Sequence, residues 1–219
     1  MIKYGLALAM LLFTTAMSNA TLVASFSQNP SATPTVTATD NGTVTNINIT
    51  DASTSITAGN AGILGNAIFN FAASSIDAAT TIATAVIQHY SGSFCFTSGA
   101  GCSGTNFLSG TFSDAAFGGL GGPGLVVNVN NPPDTLNLTS SVLTAADLIA
   151  PSTFGLTFAN LTPVLAIDGT TIAAFTADFS GTVSSSAVAT PEPTSLALLG
   201  VGLLGLTFIA KRKHNKENV

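Results

Sequence analysis

Between residues 21 and 190, few side chains carry distinctive chemistry. They are Cys95, Cys102, His89 and the carboxylates of Asp40, Asp51, Asp77, Asp114, Asp134, Asp147, Asp168 and Asp178. The two cysteines flank a short stretch that includes Ser98, Gly99, Ala100 and Gly101. In an oxidising compartment they are expected to form a disulfide, and closing so short a loop stabilises a fold by roughly 2–3 kcal/mol. A zinc site needs more ligands than two thiols and the nearby His89 supply. His89 is the only imidazole in the segment, so any Ser-His-Asp triad must use it. It stands in Ile87-Gln88-His89-Tyr90 at the parity opposite to Ile82, Val86 and Tyr90, which predicts a surface histidine. The segment has no Glu, so a glycosidase pair would have to be two Asp, and no spacing brings two together. Developing anions would find no Lys or Arg donor. Gly119-Leu120-Gly121-Gly122-Pro123-Gly124 matches G-x-G-x-x-G, but a strand pattern follows it where a dinucleotide site needs a helix. No D-x-D-x-D-G calcium loop occurs. No catalytic residue, cofactor or metal ligand is predicted, and the chain reads as a non-enzyme.

The 219-residue chain keeps its cations outside this segment. Lys3 lies at one end, and Lys211, Arg212, Lys213 and Lys216 at the other. A surface without cations cannot neutralise phosphates, which excludes nucleic acid as a partner. Lys3 precedes an apolar run from Leu6 to Ala16, followed by Ser18-Asn19-Ala20. A charged start, a short apolar stretch and a small-x-small site predict a signal peptide over 1–20, cut between Ala20 and Thr21. A second apolar run, Leu196 to Ala210, would cover roughly 22 Å as a helix. It is predicted to be a transmembrane helix over 196–210, and the basic tail 211–219 would hold that end in the cytoplasm.

Directly before this helix stands Thr190-Pro191-Glu192-Pro193-Thr194-Ser195. Pro191-Glu192-Pro193, an apolar helix and a basic cluster, in that order, resemble the PEP-CTERM sorting signal. The resemblance covers about residues 190–219. It implies that an exosortase, an integral-membrane cysteine transpeptidase-like enzyme, recognises the tail and cleaves it near the motif. The inner membrane is then a transient partner. Pro191 and Pro193 suit this role because neither fits a helix interior or a central strand, so the segment stays extended.

The intervening segment, 21–183, reads as strands. Leu125, Val127 and Val129 alternate with small or polar neighbours, as do Leu136 and Leu138, and then Phe154, Leu156 and Phe158. Phe175, Ala177, Phe179, Gly181 and Val183 form the longest such run. Ile82, Val86 and Tyr90 share one parity with Phe94 and Phe96. Period two with Phe, Val, Ile and Thr signals half-buried antiparallel strands. Asn41-Gly42 and Asp168-Gly169 signal hairpins, the latter joining Val164–Ile167 to the Phe175 strand. Asn131-Pro132-Pro133-Asp134 marks a turn. Thr144 to Leu148 begins like a capping box and predicts one or two helical turns. Residues 21 to about 39 read as a leader with an edge strand on which Thr33, Thr35, Thr37 and Thr39 alternate. Residues 184–195 read as a linker containing the Pro-Glu-Pro motif. The fold class expected is all-β, an antiparallel β-sandwich of jelly-roll type.

An exported structural or interaction protein of the cell surface or extracellular matrix is the function these features favour. The resemblance adds a link to exopolysaccharide, biofilm or floc formation. A carbohydrate-binding module is the alternative, weakened by the absence of Trp and the single Tyr in the segment. A secreted hydrolase ranks last.

Overall fold

The computed structural model describes residues 20–30, 35–58, 62–119, 124–129, 134–148 and 152–186. The signal-peptide region before Ala20, the Asn131–Pro133 turn and the whole C-terminal tail lie outside them. The described residues form strands β1 (Ala20–Gln28), β2 (Val36–Asp40), β3 (Thr45–Ala58), β4 (Gly62–Ser75), β5 (Thr80–Ile82), β6 (Ala85–Gly99) and β7 (Ser103–Gly119). There follow β8 (Gly124–Val129), β9 (Thr135–Thr139), β10 (Ser152–Thr162), β11 (Ile167–Asp168), β12 (Thr171–Ile172) and β13 (Phe175–Ser186). No helix occurs among them, and every pairing is antiparallel.

The ladder runs β6-β4-β3-β1-β13-β10-β8-β7 and returns to β6, because β6 also pairs with β7. A ladder that closes removes the open edges that would otherwise template aggregation. β5 and β9 hang from β6 and β7, while β11 and β12 form a separate hairpin. Alternate side chains of the long strands turn inward, and the inward set is rich in phenylalanine. Phe26, Phe69, Phe71, Phe94, Phe96, Phe112, Phe117, Phe154, Phe158, Phe175 and Phe179 are all buried. Rings from strands that are not ladder neighbours meet across the interior. Phe94 of β6 stacks on Phe154 of β10 at 4.2 Å, and Phe69 of β4 meets Phe179 of β13 at 5.0 Å. The interior is thus a filled core, and large aromatic side chains dominate its burial.

Several sequence expectations hold. The runs Phe154-Leu156-Phe158 and Phe175-Ala177-Phe179-Val183 face inward. Asn41-Gly42 makes the β2–β3 turn: Gly42 has φ +84°, and the Asn41 side chain accepts from the amides of Thr43 and Val44. The glycine-rich segment lies between two paired strands, β7 and β8.

Others need correction. Residues 21–39 are neither a leader nor an edge: β1 and β2 each pair on both sides, with β13 and β3. The alternation of β1 was hard to see because a bulge between Leu22 and Ala24 turns both Val23 and Ala24 inward. Ser184, Ser185 and Ser186, drawn as the start of a linker, belong to β13 and pair with Leu22, Thr21 and Ala20, while the rest of that linker lies outside the described residues. Ile82 does not share the inward face of β6. It belongs to β5, beyond a tight turn in which Ala83 has φ +58°, and is 63% exposed. Asp168-Gly169 does make a hairpin, but its partner is β12, not the Phe175 strand, which is taken up by β1, β2 and β10. Thr144–Leu148 forms a turn without a helix. The Thr144 amide and hydroxyl both donate to the Asp147 carboxylate, a capping arrangement around i→i+3 bonds.

Candidate functional site

The disulfide holds the tip of the β6–β7 hairpin. Phe94 and Phe96 point into the core, so Cys95 points to the outer surface of β6, opposite Asn70 of β4. Residues Ala100, Gly101 and Cys102 fold back over that surface, with Gly101 and Cys102 in left-handed conformations at φ +64° and +58°. Cys102 bonds to Cys95 across a Cα separation of 5.8 Å. The tip has a second fastening. Thr50 and Asp51 of β3 oppose the single residue Asn70, a bulge that puts Asp51 at φ +48°. The Gly101 amide donates to Asp51 Oδ1 at 2.7 Å, and the Asn70 Nδ2 donates to it at 3.0 Å. Those two bonds, the amide's first, hold the Asp51 carboxyl below its usual range. A cleft of about 200 Å³ lies beside the tip, lined by Asn48, Thr50, Asn70, Ser93 and Cys102. Its lining offers hydroxyl and amide groups and no charge.

His89 is half-exposed, at the surface parity that its spacing predicted. Asp77, from the turn after β4, grips it twice. Asp77 Oδ1 accepts from the His89 amide at 2.8 Å, and Oδ2 lies 2.5 Å from Nδ1. This hydrogen bond raises the imidazole pKa, with smaller contributions from the charges of Asp77, Asp114 and Asp134. Asp77 is the hydrogen-bond partner of the imidazole Nδ1.

The neighbouring Gln88 points the other way and is fully buried. Its Oε1 accepts from the Tyr90 hydroxyl at 2.8 Å and from the Ile172 amide at 3.1 Å, and its Nε2 donates to the Asp77 carbonyl at 2.9 Å. Thr45 donates to the Ile172 carbonyl at 2.6 Å. These bonds fasten the β11–β12 hairpin over one end of the core. Burial pushes the Tyr90 phenol far above its usual range, so it serves as a neutral donor. Sequence reasoning passed over Gln88, although its parity with Val86 and Tyr90 placed it inside. Tyr90 and the eleven phenylalanines named above are buried, and Phe107 is partly buried against the core.

The predicted processing residues fall differently. Ala20 and Thr21 open β1, opposite Ser186 and Ser185 at the close of β13. Pro191, Glu192, Pro193, Lys211, Arg212, Lys213 and Lys216 lie outside the described residues. No group of three or more metal-binding side chains occurs among the described residues.

Residues 189–213 match the family model of the PEP-CTERM protein-sorting motif. The match falls on the tail singled out by Pro191-Glu192-Pro193 and its basic cluster, so the chain carries this sorting signal. The signal implies an exported protein that an exosortase processes at the membrane on its way to the surface. No curated protein and no solved structure matches the chain.

Proposed function

We propose that the chain is a non-catalytic structural or interaction protein of the cell surface or extracellular matrix, delivered by cleavage of a temporary anchor. One observation carries the reading: Pro191-Glu192-Pro193, the apolar run 196–210 and the cations from Lys211 to Lys216 follow one another within the matched sorting motif. The apolar run is short and interrupted by Gly200, Gly202 and Gly205, which suits a temporary span better than a permanent one. The described domain supports a structural role. Its core is closed and filled, its loop tip is covalently pinned, and His89 is engaged by Asp77. In this reading the signal peptide is cut between Ala20 and Thr21, the closed ladder is a flattened sandwich of jelly-roll type, and exopolysaccharide is the matrix partner.

The test is a fractionation blot with tags at both ends of the chain expected after signal cleavage. The wild-type protein should lose residues 196–219 and leave the inner membrane. Glu192→Ala leaves the hydropathy of the span and the basic cluster unchanged, so it should accumulate as a full-length precursor in the inner membrane. A wild-type protein that keeps Lys211 to Lys216 and stays there would be an ordinary anchored protein.

A further inference from the structure

Short polar side chains cover the outer surface around β3, β4 and β6, and several of them pair with one another. Ser74 donates to Asn46 Oδ1 at 2.6 Å, Asn70 and Asp51 exchange two bonds, and Ser109 of β7 meets Thr139 of β9 at 2.8 Å. The cleft of about 200 Å³ beside the disulfide-bonded tip breaks this pattern. Asn48, Thr50 and Ser93 line it, and their side chains make no hydrogen bond to another described residue. Register explains the hollow. Ala72 of β4 lies between Asn48 of β3 and Ser93 of β6, its partners on either side. A methyl group between two larger side chains leaves a floor, about 10 Å across from β3 to β6. Cys102, folded back and bonded to Cys95, forms a wall.

The chemistry of the cleft narrows its occupant. Hydroxyl and amide groups both donate and accept, so they suit a ligand that does the same. Residues 21–190 contain no Lys or Arg, and the Asp51 carboxylate holds the neighbouring tip, so an anion finds no partner here and is repelled. A peptide that adds as a strand needs a free sheet edge. At the cleft β3, β4 and β6 are each paired on both sides. A floor two strand spacings wide takes one ring with hydroxyl groups at its rim, which is the shape and chemistry of a neutral sugar residue.

We propose that this cleft holds one neutral sugar residue of a polysaccharide chain, its ring over the Ala72 methyl group and its hydroxyls bonded to Asn48, Thr50 and Ser93. The proposal rests on the matrix reading above and names the surface through which the domain meets the polysaccharide. Recognition here works by hydrogen bonds rather than by aromatic stacking, so a single contact is weak. A long polymer, which offers the cleft many equivalent residues, is held better than a free monosaccharide.

Affinity electrophoresis of the full chain tests this, in native gels with a polyoxyethylene detergent that brings no sugar of its own. The gels contain dextran, mannan, galactan or hydroxyethyl cellulose as neutral probes, alginate as an anionic one, or exopolysaccharide extracted from the native host. At least one neutral probe should retard the wild type, and alginate should not. Ala72→Leu fills the floor at an exposed position, and the double change Asn48→Ala with Ser93→Ala removes bonding groups. Each should weaken binding at least about fivefold, with the far-UV circular dichroism spectrum unchanged. Thr157→Leu, at an exposed position on β10, should bind like the wild type. Equal retardation of the wild type and both cleft variants overturns the proposal and leaves the matrix reading standing. No retardation by any neutral probe or by the host polymer overturns the proposal together with the polysaccharide partner of that reading. Retardation by alginate as strong as by the neutral probes overturns the proposal alone.

Discussion

At the scale of single residues, His89 shows what strand parity can and cannot reveal. Its outward direction was legible from Val86 and Tyr90 in the same strand. Its partner was not, because Asp77 comes from a turn and reaches His89 by tertiary folding. The pair has a pH signature. The folded-state pKa of His89 is raised above the ordinary 6.5, so the stabilisation is fully present below that value. It fades as pH rises through the raised folded pKa. Both side chains are more than a third exposed, which limits the contribution to less than about 1 kcal/mol. Asp77→Asn should bring the His89 imidazole midpoint back toward 6.5 in an NMR titration. The same change should lower the urea midpoint more at about pH 5.5 than at about pH 8.5.

Single strands were read best where alternation was unbroken. β10 and β13 match their sequence runs because their inward positions, Phe154-Leu156-Phe158 and Phe175-Ala177-Phe179-Gly181-Val183, follow period two without an inserted residue. Gly181 is the glycine among them. A Cβ added to it would come within 2.3 Å of the Gly155 carbonyl oxygen and 2.4 Å of the Phe26 ring. Gly181→Ala should therefore cost about 2–3 kcal/mol in urea unfolding, by forcing Phe26 from its rotamer or parting β13 from β10. β1 was misread because its bulge puts two consecutive residues inside, and period two cannot register an inserted residue. The β6–β7 hairpin was legible at its cysteines only. The bond from Gly101 to Asp51 depends on a bulge in a distant strand, which local spacing does not encode. Reducing the Cys95–Cys102 bond should lower stability by roughly 2–3 kcal/mol. Because Asp51 still holds the tip, the secondary structure seen by far-UV circular dichroism should survive reduction.

For the molecule as a whole, the all-β class and the sorting tail were evident from the sequence. Closure of the ladder was not, since it depends on which distant strands meet: β6 with β7 locally, but β1 with β13 across nearly the whole domain. A chain beginning at Pro30 should test this. If residues 21–28 were a leader, their loss would be harmless. As β1 fills the space between β3 and β13, their loss should abolish cooperative thermal unfolding, while a chain beginning at Thr21 should retain it. The β1–β13 pairing also imposes a timetable. Contacts so far apart in sequence form late and slowly. The strand that leaves the membrane first can complete its pairing only when the last strand has followed it across. Until then β3 and the growing end of the ladder have unpaired edges. The ladder therefore cannot close around its core until both its first and its last described strands are present.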